Sequence, residues 1–188
     1  MSARLIAVLL LAMAPVFARP VLAQATDGPG PNLVIEVEGQ ATGTVVVDLL
    51  PDLAPAHVAQ ITTLAGQGAY DGVVFHRVID GFMAQTGDVE FGRGDDLSRA
   101  GTGGSALPDL PAEFSAETFD RGVVGMARAQ SPDSANSQFF IMFAPGPFLD
   151  GQYTIVGRVV AGMEVVDAIA RGEPPATPDR MARVTVAP

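Results

Sequence analysis

The chain has 188 residues, of which 48% are hydrophobic, and this is enough for one domain with a substantial core. It contains no cysteine, which excludes disulfides, thiolate chemistry and a lipid-modified N-terminal cysteine. Acidic residues outnumber basic ones by 21 to 11, and a surface of this charge argues against binding to nucleic acid or to anionic lipid.

The first residues have the pattern of an export signal. Arg4 supplies a positive charge, Leu5 to Phe17 form an apolar stretch, and Val21-Leu22-Ala23 is a small-residue cleavage signature. The apolar run is short for a bilayer span, so an uncleaved anchor is the alternative rather than the main prediction. We expect export to the periplasm with cleavage after Ala23. The predicted division is a signal peptide at 1–23, a flexible Gly/Pro-rich lead-in at 24–31 and one domain at 32–188.

The first elements of the domain are predicted to be two strands and a helix. Asn32 to Val37 and Gly43 to Leu49 are rich in β-branched residues and are joined through glycines, as in an antiparallel hairpin. Prolines then mark the start of a helix that ends near Gly66. His57, near the start of this helix, is predicted to lie at the surface. Residues 88 to 113 have no period and are predicted to be a loop.

The stretch from Phe75 to Gln85 is the first candidate for a site. Strand alternation is predicted to place Arg77 on the same face as Phe75 and Ile79, and to turn His76 the other way. Gly81 allows a bend, after which the chain is extended again up to Gln85. A charged donor, apolar walls and an amide are thus close together. The alternative is an edge-strand arginine whose stem covers apolar surface and whose head is in water.

A second candidate is the aromatic strand at residues 137 to 143. Alternation puts Gln138, Phe140 and Met142 on one face and Phe139, Ile141 and Phe143 on the other. Both faces are mainly apolar, so both need to be covered, and on one side the cover could be a ligand. Further predicted strands lie at 123–127, 153–160 and 183–187, with a short helix at 163–170.

About eight short strands and two helices follow from this pattern. The helices do not alternate with the strands, so a doubly wound parallel sheet is not expected. We predict a mainly β fold, a closed eight-stranded antiparallel barrel capped by two α-helices, which leaves no exposed sheet edge.

The glycine-rich segment Gly101-Thr102-Gly103-Gly104-Ser105 raises the question of a phosphate site. It lacks the lysine of a P-loop and no long helix follows it. Gly92-Arg93-Gly94 likewise lacks the third glycine of a dinucleotide fingerprint. We therefore predict that the glycines serve unusual backbone angles or a close backbone approach.

Taken together, several stretches resemble the cyclophilin-type peptidyl-prolyl cis-trans isomerases. The resemblance extends over roughly residues 33 to 186, and the same eight-stranded barrel with two helices is what it implies. The stretches that carry it are Tyr70-Asp71-Gly72, Phe75-His76-Arg77-Val78-Ile79, Gly81-Phe82-Met83-Ala84-Gln85-Thr86-Gly87-Asp88, Gly101-Thr102-Gly103-Gly104-Ser105, Ser137-Gln138-Phe139-Phe140-Ile141 and Phe148-Leu149-Asp150-Gly151.

The resemblance implies a role for each residue that matches a family position. Arg77 occupies the position of the catalytic arginine. The implied substrate-binding residues are Phe82, Met83, Phe140 and Leu149 around the proline ring, Gln85 and Gln138 around the substrate backbone, Ala127 and Arg128 at an Ala-Asn pair, and Phe148 and Tyr153 where familiar eukaryotic members have Trp and His. Rotation about an X-Pro bond makes and breaks no covalent bond, so no metal or cofactor is expected.

Departures from the family pattern carry expectations of their own. Arg128 in place of Asn adds a cation beside the groove, which favours acidic substrates or is simply solvated. Phe148 in place of Trp removes an indole N–H, so we expect weak binding of cyclosporin A. The segment from 86 to 100 is longer than in compact members and is expected to modify one rim.

The leading hypothesis is an exported prolyl isomerase that acts, as a monomer, on proline-containing polypeptides during the folding of other exported proteins. The alternative is a binding module or chaperone that grips proline-containing segments without turnover. A hydrolase with a pair of carboxylates is a third class, but only the abundance of acidic residues favours it and no motif does.

Overall fold

A computed structural model of the chain describes residues 26–188, so the predicted export signal and its cleavage position lie outside the described residues. This part of the chain forms nine strands, two α-helices and a short 3₁₀ turn at Pro147–Leu149. The strands are β1 Asn32–Glu38, β2 Gly43–Leu49, β3 Val73–Val74, β4 Arg77–Ile79, β5 Met83–Thr86, β6 Val123–Met126, β7 Phe139–Met142, β8 Ile155–Ala161 and β9 Arg180–Ala187; the helices are α1 Pro55–Gly66 and α2 Met163–Ala168.

The strands form one curled antiparallel sheet in the order β3-β9-β1-β2-β8-β6-β7-β5-β4. Its two terminal strands, β3 and β4, are consecutive in the chain and are separated only by Phe75 and His76. The ends of the sheet are therefore joined through the backbone. The described residues thus form nine strands where eight were predicted, because one predicted strand is interrupted between β3 and β4, and the mainly β fold with two helices is confirmed.

The larger core lies inside the curled sheet. Alternate side chains of the β1–β2 hairpin point into it, including Leu33, Ile35 and Val47, and α1 covers it with Ile61 and Leu64. Each such side chain contributes about 1.5–3 kcal/mol through burial. The inward positions of the hairpin thus determine the register that holds the sheet together.

A second, smaller apolar cluster lies on the other face of the sheet, where β5, β6 and β7 are neighbours. Alternation along β7 works as predicted, since Phe139 and Ile141 face the larger core while Phe140 and Met142 belong to the second cluster. Met83 of β5 also belongs to this cluster. This is the apolar face on which the candidate site is built.

The predicted common face of Phe75, Arg77 and Ile79 is wrong. Phe75 is buried in the larger core, whereas Ile79 packs against the second cluster. The reason is the break between β3 and β4, where the backbone changes its partner from β9 to β5. Alternation does not continue through such a break, so Arg77 shares its apolar wall with residues of β5 and β7 instead.

The prediction of a surface position for His57 is also wrong. Its side chain is fully buried, and its Nδ1 lies 2.6 Å from Oε2 of Glu113, to which it donates a hydrogen bond. Glu113 also accepts hydrogen bonds from the backbone N–H groups of Ala56 and His57, each at 3.1 Å. A carboxylate from the distant loop therefore caps the start of α1, where no residue of the helix itself does so.

The loop from 88 to 113 is organised around Asp88, whose side chain is buried. One carboxylate oxygen accepts hydrogen bonds from the N–H groups of Gly101 (2.7 Å) and Gly103 (2.9 Å). Gly101 has a φ of +96°, and a Cβ on Gly103 would lie 2.6 Å from Asp88 Oδ1. The prediction that these glycines serve unusual angles and a close approach is confirmed.

The described part of the predicted lead-in touches the sheet. The N–H of Gly28 donates to Asp48 Oδ2 at 3.0 Å, and Pro31 accepts a bond from the N–H of Leu49 at 3.0 Å. Among the helices of residues 26–188, none has the length and apolar character needed to cross a membrane.

Candidate active site

Three neighbouring strands place the candidate residues in rows. Arg77 of β4 lies opposite Gln85 of β5, and Gln85 lies opposite Phe140 of β7. Side chains at paired positions of antiparallel strands share a face and touch. The tight turn that brings β4 back along β5 contains Gly81, with a φ of +68°. The arginine, the amide and the aromatic ring are therefore side by side because of strand register.

The floor of the site depends on a glycine. Gly125 of β6 lies opposite Phe140, and a Cβ there would meet the rings of Phe119 and Phe140 at 2.6 Å. Without that Cβ, the two rings stack at a centroid distance of 5.8 Å and an interplanar angle of 20°. Phe140 is thereby held in one position below the cavity.

An open cavity of about 410 Å³ lies above this floor. Of the predicted site residues, only Gln138 is outside its lining, which consists of Arg77, Phe82, Met83, Gln85, Ala127, Arg128, Phe140, Phe148, Leu149, Gln152 and Tyr153. Met83, Phe140 and Leu149 are almost fully buried and form the apolar wall. Phe148 is 62% exposed and forms the rim, packed against Phe82 at a centroid distance of 5.5 Å.

Arg77 lies at the mouth of this cavity, with a side chain that is 41% exposed. Its Nε donates to Oε2 of Glu173 at 2.7 Å, and its Nη1 donates to Oε1 of Gln85 at 3.5 Å. Nη2 has no hydrogen-bond acceptor within residues 26–188. The arginine is thus partly immobilised and keeps donors for a ligand.

Gln85 is oriented by a chain of amides. Its Nε2 donates to Oε1 of Gln138 at 2.9 Å, and Nε2 of Gln138 donates to the carbonyls of Gly101 (3.1 Å) and Gly103 (2.8 Å). Carbonyl oxygens only accept, so the NH₂ group of Gln138 faces the loop and its oxygen faces Gln85. The oxygen of Gln85 is consequently turned towards Arg77.

Gln138 lines a second cavity of about 490 Å³ beside the first. This neighbour is bounded by the glycine-rich segment 101–105 and by Asn136, and Gln85, Ala127 and Arg128 border both cavities. The two cavities therefore form one groove, apolar at one end and lined by backbone and amide groups at the other.

The comparisons with known proteins identify the family. Residues 33–186 match the family model described as cyclophilin type peptidyl-prolyl cis-trans isomerase/CLD. A protein of Brucella suis named probable peptidyl-prolyl cis-trans isomerase is 61% identical over 152 residues, which cover 77% of this chain and 78% of the relative. The chain belongs to the cyclophilin family. It is a peptidyl-prolyl cis-trans isomerase, as the resemblance in its sequence implied.

Solved cyclophilin structures have the same fold. Cyclophilin AquaCyp293 from Hirschia baltica is 28% identical and superposes with a TM-score of 0.71, covering 85% of this chain and 74% of its own. A cyclophilin type isomerase from Cryptosporidium parvum, solved in the presence of the dipeptide Ala-Pro, is 24% identical, with a TM-score of 0.72 over 84% of this chain and 99% of its own.

Arg128, which differs from the Asn of the family pattern, is held against the wall of this cyclophilin's groove. Its guanidinium donates to the carbonyls of Ala129, Gln130 and Gln152 at 3.0–3.2 Å and lies 4.4 Å from the ring centroid of Tyr153. Within residues 26–188 it forms no ion pair with a carboxylate. Its positive charge is therefore not paired with a carboxylate of the described residues and lies at the border of the two cavities.

His76 lies behind the groove and lines neither cavity. Burial lowers the pKa of its imidazole, and the carboxylate of Asp88 opposes this only in part. A Cβ on Gly101 would come within 2.9 Å of the imidazole ring, so the two are in close contact. His76 is accordingly a neutral support for the glycine-rich wall, away from the ligand side.

Several residues of the site were not predicted from the sequence, and three of them have contacts that explain why. Gln152 lines the first cavity, Glu173 binds Arg77, and Asn136 holds Ser105 and Leu107 of the loop through its side chain. Glu173 follows Arg77 by 96 positions in an irregular segment, so neither periodicity nor a motif indicated it. Asn136 directly precedes the predicted aromatic strand at residues 137 to 143. Its amide side chain was the only feature of the sequence that could have indicated a role in the site.

Proposed function

We propose that Arg77 is the catalytic residue and that the cavity beside it receives the ring of the substrate proline. The observation that supports this most is the guanidinium at the mouth of a cavity with an apolar wall, where Nη2 is not engaged within the described chain. A ring held by Met83, Phe140 and Leu149 would bring the prolyl nitrogen next to this donor. The Ala-Pro dipeptide named with the Cryptosporidium parvum relative is in keeping with such a ligand.

The chemistry requires a donor that acts on the twisted bond. Conjugation of the nitrogen lone pair with the carbonyl gives the X-Pro bond a barrier of about 18–20 kcal/mol. At the twisted geometry the lone pair is localised on nitrogen, which then accepts a hydrogen bond that the planar amide accepts poorly. Arginine is suited to this role because it stays charged at any physiological pH. The interaction favours the transition state over the ground state, which is the condition for catalysis.

The required energy is modest. At about 1.36 kcal/mol per tenfold in rate, an acceleration of about 10⁴ corresponds to roughly 5.5 kcal/mol. A hydrogen bond to a charged group contributes about 1.5–3 kcal/mol, and the remainder is assigned to holding the ring in an apolar site from which water is excluded.

The polar end of the groove would bind the substrate backbone. Gln85 and Gln138 present amide groups of set orientation, and Ala127 and Arg128 lie where the two cavities meet. A peptide that places proline in the first cavity would run across these residues towards the second. The positive charge of Arg128 at this point favours acidic side chains near the proline.

The test is the isomerisation rate of an X-Pro peptide in a protease-coupled assay. Arg77→Ala is expected to lower kcat/KM by about 10- to 100-fold, the loss of one charged hydrogen bond. Arg77→Lys is also expected to be poor, because it lacks the planar fork. Arg183→Ala, an exposed arginine on β9, is the control and should retain the wild-type rate. An unchanged rate in Arg77→Ala would refute the assignment.

We further propose that the enzyme is exported to the periplasm and assists the folding of other exported proteins. The support is the sequence of residues 1–23, with Arg4, the apolar stretch to Phe17 and the cleavage signature that ends at Ala23. The absence of cysteine suits an oxidising compartment, since no residue can be mispaired.

N-terminal sequencing of the protein from a periplasmic extract tests this proposal. A mature chain that begins at Gln24 is expected. Protein that begins at Met1 and remains with the membrane fraction would instead support the uncleaved anchor, and protein confined to the cytoplasm would refute export. We also expect the mature chain to be a monomer. Analytical sedimentation measures its oligomeric state.

A further inference from the structure

Glu173 is the one carboxylate in contact with Arg77 within residues 26–188, at 2.7 Å from Nε. We propose that Glu173 is a positioning residue, which fixes the guanidinium so that its free edge faces the prolyl nitrogen. This inference rests on the proposed catalytic role of Arg77. It assigns a role in the reaction to a residue that belongs to none of the motifs shared with the family.

The backbone next to Glu173 is fastened to the strand that carries Arg77. Gly172 and Val78 exchange two hydrogen bonds, from Val78 N–H to Gly172 O at 2.8 Å and from Gly172 N–H to Val78 O at 2.9 Å. Gly172 has a φ of +147°, and a Cβ there would lie 2.6 Å from the backbone of Pro175. Glu173 directly follows one residue of this bridge in the chain, and Arg77 directly precedes the other. The backbone positions of both residues are therefore fixed relative to each other.

A second anchor lies just before the bridge. Nε of Arg171 donates to Oδ1 of Asp80 at 3.1 Å, and its guanidinium lies 4.1 Å from the ring centroid of Phe143. The segment that carries Glu173 is thus attached to the turn between β4 and β5 as well as to β4 itself. The side chain of Glu173 therefore contacts Arg77 without the entropic cost of ordering a mobile loop.

The two partners of Arg77 restrict its guanidinium from different sides. Glu173 accepts from Nε and Gln85 lies near Nη1, so rotation about the end of the side chain is limited. An arginine side chain loses rotamer entropy when it is ordered, and an anchored carboxylate removes part of this freedom before the substrate arrives. The remaining donors on Nη2 then point along one direction.

Positioning and charge have opposite consequences, and this makes the proposal testable. The negative charge of Glu173 reduces the positive potential at the prolyl nitrogen, so charge alone would make its removal accelerate the reaction. Loss of positioning would slow it instead. Stability should change little, because the side chains are 41% and 53% exposed and ion pairs this exposed contribute little to stability.

The experiment compares Glu173→Ala and Glu173→Gln by steady-state kinetics on an X-Pro peptide. Glu173→Ala is expected to lower kcat about 5- to 10-fold with KM within about twofold, since misorientation acts on the transition state. Glu173→Gln keeps an acceptor for Nε and is expected to recover most of that loss. Glu117→Ala is the matched control, because Glu117 is 47% exposed and pairs with Arg158 (38% exposed), neither of which lines the groove.

The double variant Arg77→Ala/Glu173→Ala separates the two proposals. If Glu173 acts through Arg77, the double variant has the rate of Arg77→Ala alone. A Glu173→Ala enzyme with a rate equal to or above wild type would overturn the positioning role while leaving that of Arg77 intact. A wild-type rate in Arg77→Ala would overturn both.

Discussion

At the scale of single residues, the site depends on how few positions Arg77 can adopt. A carboxylate holds Nε, an amide lies beside Nη1, and the buried side chains of Met83 and Phe140 form an apolar wall of the adjacent cavity. In the proposed mechanism, the hydrogen bond from Arg77 to the twisted amide is stronger than in bulk water, because the donor is already oriented. The arrangement distinguishes Arg77 from an edge-strand arginine whose head is simply solvated.

Strand pairing explains why part of this could be predicted from the sequence. Arg77 and Gln85 are joined by a short hairpin, and Phe140 lies on a strand whose alternation is regular. Phe75 was placed on the wrong face because the strand is interrupted, and Glu173 was missed because its contact depends on the path of an irregular segment. Local periodicity carries no information on either feature.

Phe148 leads to a prediction about cyclosporin A. The ring is 62% exposed at the rim of the cavity and has no N–H to donate. Phe148→Trp is expected to raise the affinity for cyclosporin A about tenfold, which corresponds to about 1.4 kcal/mol from one hydrogen bond and added contact. Isothermal titration calorimetry measures the change.

Phe114→Trp is the control for this prediction, because Phe114 is 44% exposed and does not line the groove. It should leave the affinity unchanged. A wild-type protein that binds cyclosporin A as tightly as Phe148→Trp would contradict the account of the rim.

At the scale of elements, residues distant in the chain stabilise helices whose bounds are determined by the local sequence. The sequence predicted α1 and its end at Gly66, but the cap at its start comes from Glu113 in the long loop. Burial of His57 follows from the same contact. Bounds of helices and strands are local properties, whereas caps supplied by a loop depend on the tertiary fold.

The contacts of Glu113 lead to a prediction about how the stability of the fold depends on pH. Partial burial raises the pKa of its carboxyl, but the bonds from His57 and the backbone N–H groups outweigh this and hold the pKa below its ordinary value of 4.5. A depressed pKa stabilises the folded state above the unfolded pKa, and this contribution is lost as the pH falls through the folded pKa.

Glu113→Gln is expected to lower the free energy of unfolding by about 1–2 kcal/mol at neutral pH, as the loss of a helix cap does. The difference from wild type should shrink as the pH falls below 4.5 and on through the depressed pKa of Glu113 in the folded state, below which both side chains are neutral. Urea unfolding at several pH values measures it. A difference that stays constant down to low pH would show that the charge of Glu113 is irrelevant.

At the scale of the whole molecule, the curled sheet separates two tasks. Its inner face carries the larger core, and the outer face of β5, β6 and β7 carries the smaller cluster that forms the groove. The fold class could be predicted from the sequence for two reasons. Side chains alternate regularly between the two faces along most strands, and helices do not alternate with strands along the chain. The second cavity could not, since it is bounded by a loop folded around Asp88.

This division means that a change at Arg77 should affect the reaction without affecting the fold or the binding of the ring. Arg77 lies at the mouth of the groove and belongs to neither apolar cluster, while the proposed pocket for the proline ring is formed by the second cluster. Turnover and affinity are therefore expected to respond differently to its removal, and they can be measured in the same sample.

NMR exchange spectroscopy on an X-Pro peptide at saturating enzyme measures the isomerisation rate in the bound state together with the affinity. For Arg77→Ala we expect an affinity within about threefold of wild type and a bound-state rate lowered at least about tenfold, because only the transition-state interaction is lost. Arg183→Ala should match wild type in both. A bound-state rate that is unchanged in Arg77→Ala, or that is lost only through weaker binding, would contradict the account.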